Sequence, residues 1–418
     1  MGMSTPIAAD SPRLADAHTE MRAPEALPAA PTFARRRLRL GISGVGLSVL
    51  SSMAWLALLI TGVVVPPPLS SLTGAVPTPV LTVVQAVTAV IVVFVLHALL
   101  TFALEYRGGA VVVRQHPLVA AWLRAWGRGV LVQGLLLLML VSMAASGGAL
   151  LGTLGVVGGA FAGSVLLLAL QGPIARLIAN LPTAPLDPSL HELARSQGIR
   201  PDVVRVIDAP DEAFVGGWVG IRPIELWIPR AWTSEAHREL LTVQFTRRQA
   251  QFASGARRRG LFRAAMWPAL GLALLLPLLP WSPADAAYWL ALPAVSTLWM
   301  FIGVLLLPSL SRPIVYNADS IAAARLGRDS VARAVRQLDA WQDDEAERSP
   351  GVEFIFHPVP SRGNRERALQ RTPQRALGGA HQLTRLSLFS ALAAGSLLGR
   401  VVHCNIGRPS LWAMYPGD

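Results

Sequence analysis

The sequence contains no lysine: all 37 basic residues are arginine, and they carry the net charge of +12. Charge of either sign is scarce. Only 15% of residues are charged and 52% are hydrophobic, a balance that excludes an ordinary soluble protein and predicts a membrane protein. Cysteine is nearly missing. The single Cys404 excludes an internal disulfide framework and a cysteine-built metal site, and it reads as a small buried residue. Histidine occurs at 18, 97, 116, 191, 237, 357, 381 and 403. No two are three or four apart, so no helical one-turn pair of ring nitrogens exists. Phosphate-binding loops, dinucleotide fingerprints and the Gly-x-Ser-x-Gly elbow are absent as well. The arginines are spread over several loops rather than gathered in one patch, so nucleic-acid binding is not expected.

What the chain has is long apolar runs. They cover Gly41 to Val65, Pro79 to Leu104, 129–171 with a break at 146–148, 264–281, and 286–308. At about 20 residues per crossing, 129–171 holds two spans, and the total is six. Arg35, Arg36, Arg37 and Arg39 precede the first run. Arg107, Arg114, Arg124 and Arg128 follow the second, while 66–78 and the break near 147 carry no charge. The regions 173–262 and 309–387 are again arginine-rich. This alternation places both termini and both polar regions in the cytoplasm, most simply at a bacterial inner membrane. His97 is the one ionisable group read inside a span, and it reads as a histidine packed between helices.

The expected fold is mainly α and polytopic, with about six transmembrane helices and a cytoplasmic α+β domain interrupted by a transmembrane hairpin. Residues 1–40 form a disordered, Arg-ended tail. Four spans fill 41–172. The first part of the polar domain is 173–262, the hairpin is 263–308, and the second part is 309–387. In the first part the pattern predicts a helix at 189–199, a strand at 202–209, a glycine turn at 213–220, a strand at 224–229, and a helix at 237–252. That last helix is capped at Ser234 and ends before Gly255. The second part holds helices at 311–327 and 329–341, then a His-Pro turn into a basic helix at 356–370. The apolar stretch 386–402 is short for a crossing, so 388–418 reads as an interfacial or re-entrant helix with a docked or loose tail.

This order of parts, with "DEAFVGG" (211–217), "VYNAD" (315–319) and "HPVPSRGNRERAL" (357–369), resembles the HtpX-like and CAAX-prenyl-protease-like membrane zinc metallopeptidases over about 186–370. The resemblance implies a zincin-like fold of the gluzincin type. It also implies a substrate-binding strand, here Ile224, Leu226 and Trp227, next to a motif matched by Ala213, Phe214, Gly216 and Gly217. Substrate would join that strand as an extra strand. His357, Pro358 and Arg365 match the family's His-Pro turn and Arg helix.

The family's H-E-x-x-H falls on "QFTRR". Gln244 and Arg248 then stand at the two histidines, Phe245 at the general base, and Val315 at the third ligand, four residues before Asp319. Gln is a poor zinc ligand, Val is none, and a guanidinium has no acceptor lone pair. The expectation is a catalytically inactive pseudoprotease with no metal cofactor. Its partners would be the lipid bilayer and segments of membrane proteins or peptides. Two further readings stand beside it: an active zinc peptidase with a non-standard site, and a transporter or lipid-handling protein. "HELAR" (191–195) begins like the zinc motif but has Arg195 at its second histidine, and it is read as an amphipathic helix. Asp319, retained in the family's metal-supporting position, is expected to approach Gln244, Arg248 or both.

Overall fold

The computed structural model describes residues 33–65, 78–111, 118–209, 214–342, 344–371 and 379–413. The disordered tail expected over 1–40, up to residue 32, and the residues after 413 lie outside these.

Among the described residues, five helices are long and apolar enough to cross a membrane. They belong to α1 (Phe33–Ile60), α2 (Thr78–Val111), α3 (Val119–Ala169), α7 (Ala256–Leu275) and α8 (Ala286–Leu326). The third is two segments. Gly152 has φ 60° and ψ −145°, outside helical geometry, and the halves on either side fold back on each other. Gly147 packs on Gly155, and a Cβ at Gly159 would stand 2.6 Å from the Cα of Ala144. The glycines at 155, 159 and 163 repeat every four residues, so they form one bare stripe that lets two helix backbones touch. The third helix, divided at Gly152, covers the stretch over which two spans were expected.

Between α3 and α7 lie α4 (Gln171–Ala179), β1 (Thr183–Pro185), α5 (His191–Ser196), β2 (Val204–Ile207), β3 (Gly217–Val219), β4 (Glu225–Pro229) and α6 (Arg238–Ala253). The sheet order is β1-β2-β4-β3. β2 and β4 run parallel, and the two outer pairings are antiparallel, with Gly217 opposite Trp227. The expected cap at Ser234 is displaced. Ser234 opens a short 3-10 turn, and α6 begins after His237 with no side-chain cap. Gly255 ends the helix as read, in the left-handed region at φ 69°.

After α8 come α9 (Arg328–Gln342), α10 (Pro350–Phe356), α11 (Arg362–Leu369) and α12 (Leu383–Ser390). One hydrophobic core collects Leu190, Val206, Leu226, Leu241 and Phe245 from before the hairpin with Ala322, Val331, Val335 and Leu369 from after it. α8 runs without interruption from the apolar bundle into this core, so the bundle and the sheet domain share a rigid element.

The C-terminal segment is the main departure from the sequence reading. Residues 380–402 are buried almost throughout, so they do not lie on an interface. α12 packs on α3, α7 and α8. Beyond it, Val401 and His403 meet Gly44 and Gly41 of α1, Ile406 meets Gly108 of α2, and Trp412 meets Gly129 of α3. The segment is docked inside the bundle. Its anchor is Arg400, which donates from Nε (3.1 Å) and Nη2 (2.8 Å) to Glu105 of α2. Glu105 is fully buried. It lies one residue past the expected end of the second span but within α2, so His97 is not the one ionisable group of that helix. His97 itself packs between helices as expected, 3.1 Å from the Ser48 hydroxyl.

Candidate functional site

α6 is buried on nearly every side between Leu240 and Gln251, its polar residues included. A buried polar side chain must find hydrogen-bond partners, so the helix packs where partners exist. On one side lies the lower half of α8, carrying Val315 and Asp319, both buried. Beyond it stands α11, carrying Arg365.

Asp319 is the centre. Its Oδ1 accepts from Arg247 Nε at 2.7 Å and from Arg365 Nη2 at 2.9 Å, and its Oδ2 accepts from Arg365 Nε at 2.8 Å. Arg247 Nη1 also donates to Gln244 Oε1 at 3.0 Å. The two arginine side chains are 0% and 5% exposed and the aspartate 3%. Three helices are thus joined by one carboxylate, two guanidiniums and an amide. The Arg365 contact uses the planar fork that matches both carboxylate oxygens.

The arginine on Asp319 is therefore Arg247, not Arg248. The direct Asp319–Arg248 pair does not form, and Gln244 reaches Asp319 only through Arg247. Arg247 lies outside the motif positions. The signal was present: Arg247 lies three residues after Gln244 and shares its face as well as Arg248 does. Arg248 turns to the glycine segment instead. Its Nη2 donates to the carbonyls of Gly216 (3.1 Å) and Val215 (3.3 Å), and its Nη1 donates to Gln251 Oε1. Arg257, at the start of α7, donates to the Trp218 carbonyl at 2.7 Å and to that of Gly220.

The strand expected to receive substrate needs correcting. Ile224, Leu226 and Trp227 lie on or beside β4, which is an inner strand paired on both sides. An inner strand has no free ladder groups to offer. The edges of the sheet are β1 and β3; β3 is the edge beside β4, and carbonyls along Val215–Gly220 are already taken by Arg248 and Arg257. Gly216, at φ 65°, must be glycine: a Cβ there would collide with the Trp227 carbonyl oxygen. Gly217 pairs with Trp227, and Phe214 is buried. Ala213 lies outside the described residues.

The resemblance implies zinc, and the residues do not fit it. Of the three expected ligand positions, Gln244 accepts at Oε1 from Arg247, Arg248 is itself a cation and Val315 has no ligand atom, and both oxygens of the neighbouring Asp319 are engaged by Arg247 and Arg365. The two arginines leave a net positive charge that repels a divalent cation. Phe245, wholly buried in the apolar core, cannot take a proton from water. Among the described residues, no three His, Cys, Asp or Glu side chains converge. His191 bonds its own local turn, Nε2 to the Leu186 carbonyl at 3.1 Å. His357 closes the turn before α11, where its carbonyl accepts from Arg312 Nε at 3.1 Å.

No protein-family model and no curated protein matches the chain. Solved structures do. The chain matches Ste24p of S. mikatae at 11% sequence identity, over 82% of this chain and 100% of that one, with a TM-score of 0.55. The chain has a Ste24p-like fold. At that identity the likeness concerns the fold alone, that of a polytopic, mainly helical membrane protein with a small sheet. The Ste24p-like frame brings α6, α8 and α11 together, and in this chain an arginine–aspartate cluster holds them.

Proposed function

We propose that this chain is an integral membrane protein on a metallopeptidase-like fold that no longer hydrolyses peptides and acts by binding. The observation that carries the reading is the buried Arg247–Asp319–Arg365 cluster with Gln244. It supplies cations and donors where a zinc peptidase needs anions, neutral imidazoles and a base. Lost chemistry on a kept fold is expected in principle, since activity resides in the site and not in the fold.

Segments of membrane proteins or peptides are the partner class in this reading. Their recognition would not proceed by strand addition at β4, nor at the carbonyls held by Arg248 and Arg257. In this reading the sheet domain faces the cytoplasm of a bacterial inner membrane, an orientation favoured by the arginine-rich loops.

The test uses the full chain purified in detergent, with zinc content by mass spectrometry beside cleavage of an unstructured protein substrate. The expected result is far less than one zinc per chain and no cleavage above a chelator-treated control. One zinc per chain, together with cleavage that disappears and returns with chelator and added zinc, would overturn the proposal.

A further inference from the structure

A cavity of about 160 Å³ lies among α8, α9, the turn before α11 and the C-terminal segment. Its described lining holds six arginines, at 37, 348, 362, 365, 385 and 408, against one carboxylate, Asp339. Several of these cations are engaged. Arg365 is on Asp319, Arg362 Nη1 lies 3.5 Å from Asp339, and Arg408 Nη1 donates to the Cys404 carbonyl at 3.3 Å.

Arg385 of α12 differs. Among the described residues it has no ion pair or hydrogen bond, and its Nε is closed to solvent without a partner. Next to it Thr384, only 7% exposed, carries a buried hydroxyl with no partner. Both line the same cavity. Two buried polar groups left unmade are costly, and one bound group with several acceptor oxygens and a negative charge would satisfy both. A phosphate has that form, and the guanidinium fork matches its geometry.

The cavity's position adds the second half of the ligand. α12 starts where α8 leaves its apolar stretch: the Ala380 N–H donates to the Leu310 carbonyl at 3.1 Å, and the Leu383 N–H to the Ser311 hydroxyl at 3.3 Å. Val304, Leu388 and Leu411 form apolar wall beside the cations. Cationic groups above an apolar wall, at the end of a membrane segment, suit a charged headgroup with a lipid tail.

We infer that this cavity binds a phosphate ester through Arg385 and Thr384, either the headgroup of an anionic phospholipid or a soluble phosphate. The site is independent of whether the neighbouring cluster is catalytically silent.

The test is thermal unfolding of the detergent-purified full chain, titrated with dioleoyl-phosphatidylglycerol, dioleoyl-phosphatidylcholine or inorganic phosphate. Phosphatidylglycerol should raise Tm saturably while phosphatidylcholine does not. Arg385→Gln should weaken the apparent affinity about tenfold, and Arg385→Lys, which keeps the charge but loses the fork and the Nε donor, should fall between Arg385→Gln and the wild type. Arg195→Gln, at an exposed site on α5 outside the cavity, should leave it unchanged. Saturation by inorganic phosphate with no effect of phosphatidylglycerol, again lost in Arg385→Gln, would assign the site to a soluble phosphate. Should Arg385→Gln fail to fold, Thr384→Val removes the hydroxyl at constant shape and should weaken binding severalfold. The inference is overturned if neither phosphatidylglycerol nor inorganic phosphate gives a saturable shift. It is equally overturned if phosphatidylcholine matches phosphatidylglycerol, or if the cavity variants respond as the wild type does.

Discussion

Two buried arginine–carboxylate clusters hold this protein together, one in the sheet domain and one in the membrane bundle. In the sheet domain Asp319 is shared by Arg247 and Arg365, so positive charge is in excess and the amide of Gln244 is drawn in. In the bundle Glu105 meets one arginine, Arg400, at 2.8 Å, with side-chain exposures of 0% and 2%. That pair is balanced. The Arg400 guanidinium lies 4.5 Å from the ring centroid of Trp412, and Thr101 and Trp126 donate to the glutamate. The first cluster ties three helices, α6, α8 and α11. The second ties the C-terminal segment to α2. The same pair of chemical groups therefore serves different ends, set by how many cations share each carboxylate.

The comparison can be broken at either end, most severely at Asp319. Asp319→Ala strands two buried guanidiniums and should cost about 3–5 kcal/mol, read as a large fall in Tm in detergent. If the cluster is mainly a structural replacement, apolar residues at 247, 319 and 365 together should recover most of that loss. A single variant as stable as the wild type would remove the cluster from any holding role.

Glu105→Ala strands only one cation, and a smaller cost of about 3 kcal/mol is expected. Its specific mark is positional: protease cleavage after residue 379 should quicken while the sheet domain stays resistant. Uniform loosening of both regions would show that the bundle cluster does not act on the C-terminal segment in particular.

Gly159→Leu forces a side chain into the backbone of Ala144 at the turnback of α3. A loss of about 1–3 kcal/mol is expected from overpacking, visible as lower yield and Tm. Tolerance of this change would mean that the two halves of α3 do not pack as described.

The smallest effect concerns pH. Glu353 of α10 accepts from the Ser361 N–H at 3.1 Å and from Asn364 Nδ2 at 2.8 Å, which fixes the start of the helix carrying Arg365. Burial opposes ionisation there, but those hydrogen bonds and the charge of Arg348 outweigh it and hold the carboxyl below its ordinary 4.5. A depressed value means that the folded state prefers the carboxylate. Its contribution is full above pH 4.5 and fades as the pH falls through the lower folded value. Glu353→Gln should flatten the acid limb of a Tm–pH curve, and an unchanged limb would assign the acid sensitivity to other carboxylates.

Much of the fold was legible because membrane insertion is read locally. A run of apolar side chains long enough to cross needs no knowledge of its neighbours, so the six spans could be marked one by one. Even the turnback in α3 was visible as the break at 146–148, although the non-helical residue is Gly152. The position of α6 between a glycine segment and a membrane hairpin was also legible from the order of motifs. The pairings were not. Strand order depends on which ladder groups meet across the sheet, and the short runs at 217–219 and 224–229 do not say which is the edge. The C-terminal segment reads as interfacial or re-entrant because it is short for a bilayer crossing, whereas its partners are glycines on α1, α2 and α3 and a glutamate at residue 105.

The sequence by itself determined the membrane class, the long apolar segments and the break of α6 at Gly255. Composition and spacing suffice for these, because each is a property of a residue or of a short run. Only the tertiary structure decided that Arg247 rather than Arg248 meets Asp319, that Arg365 joins them, and that Arg248 and Arg257 occupy the edge of the sheet. Successive residues on a helix point about 100° apart, so neighbouring arginines face different neighbours. Which neighbour lies on which side is fixed only when α6, α8 and α11 pack.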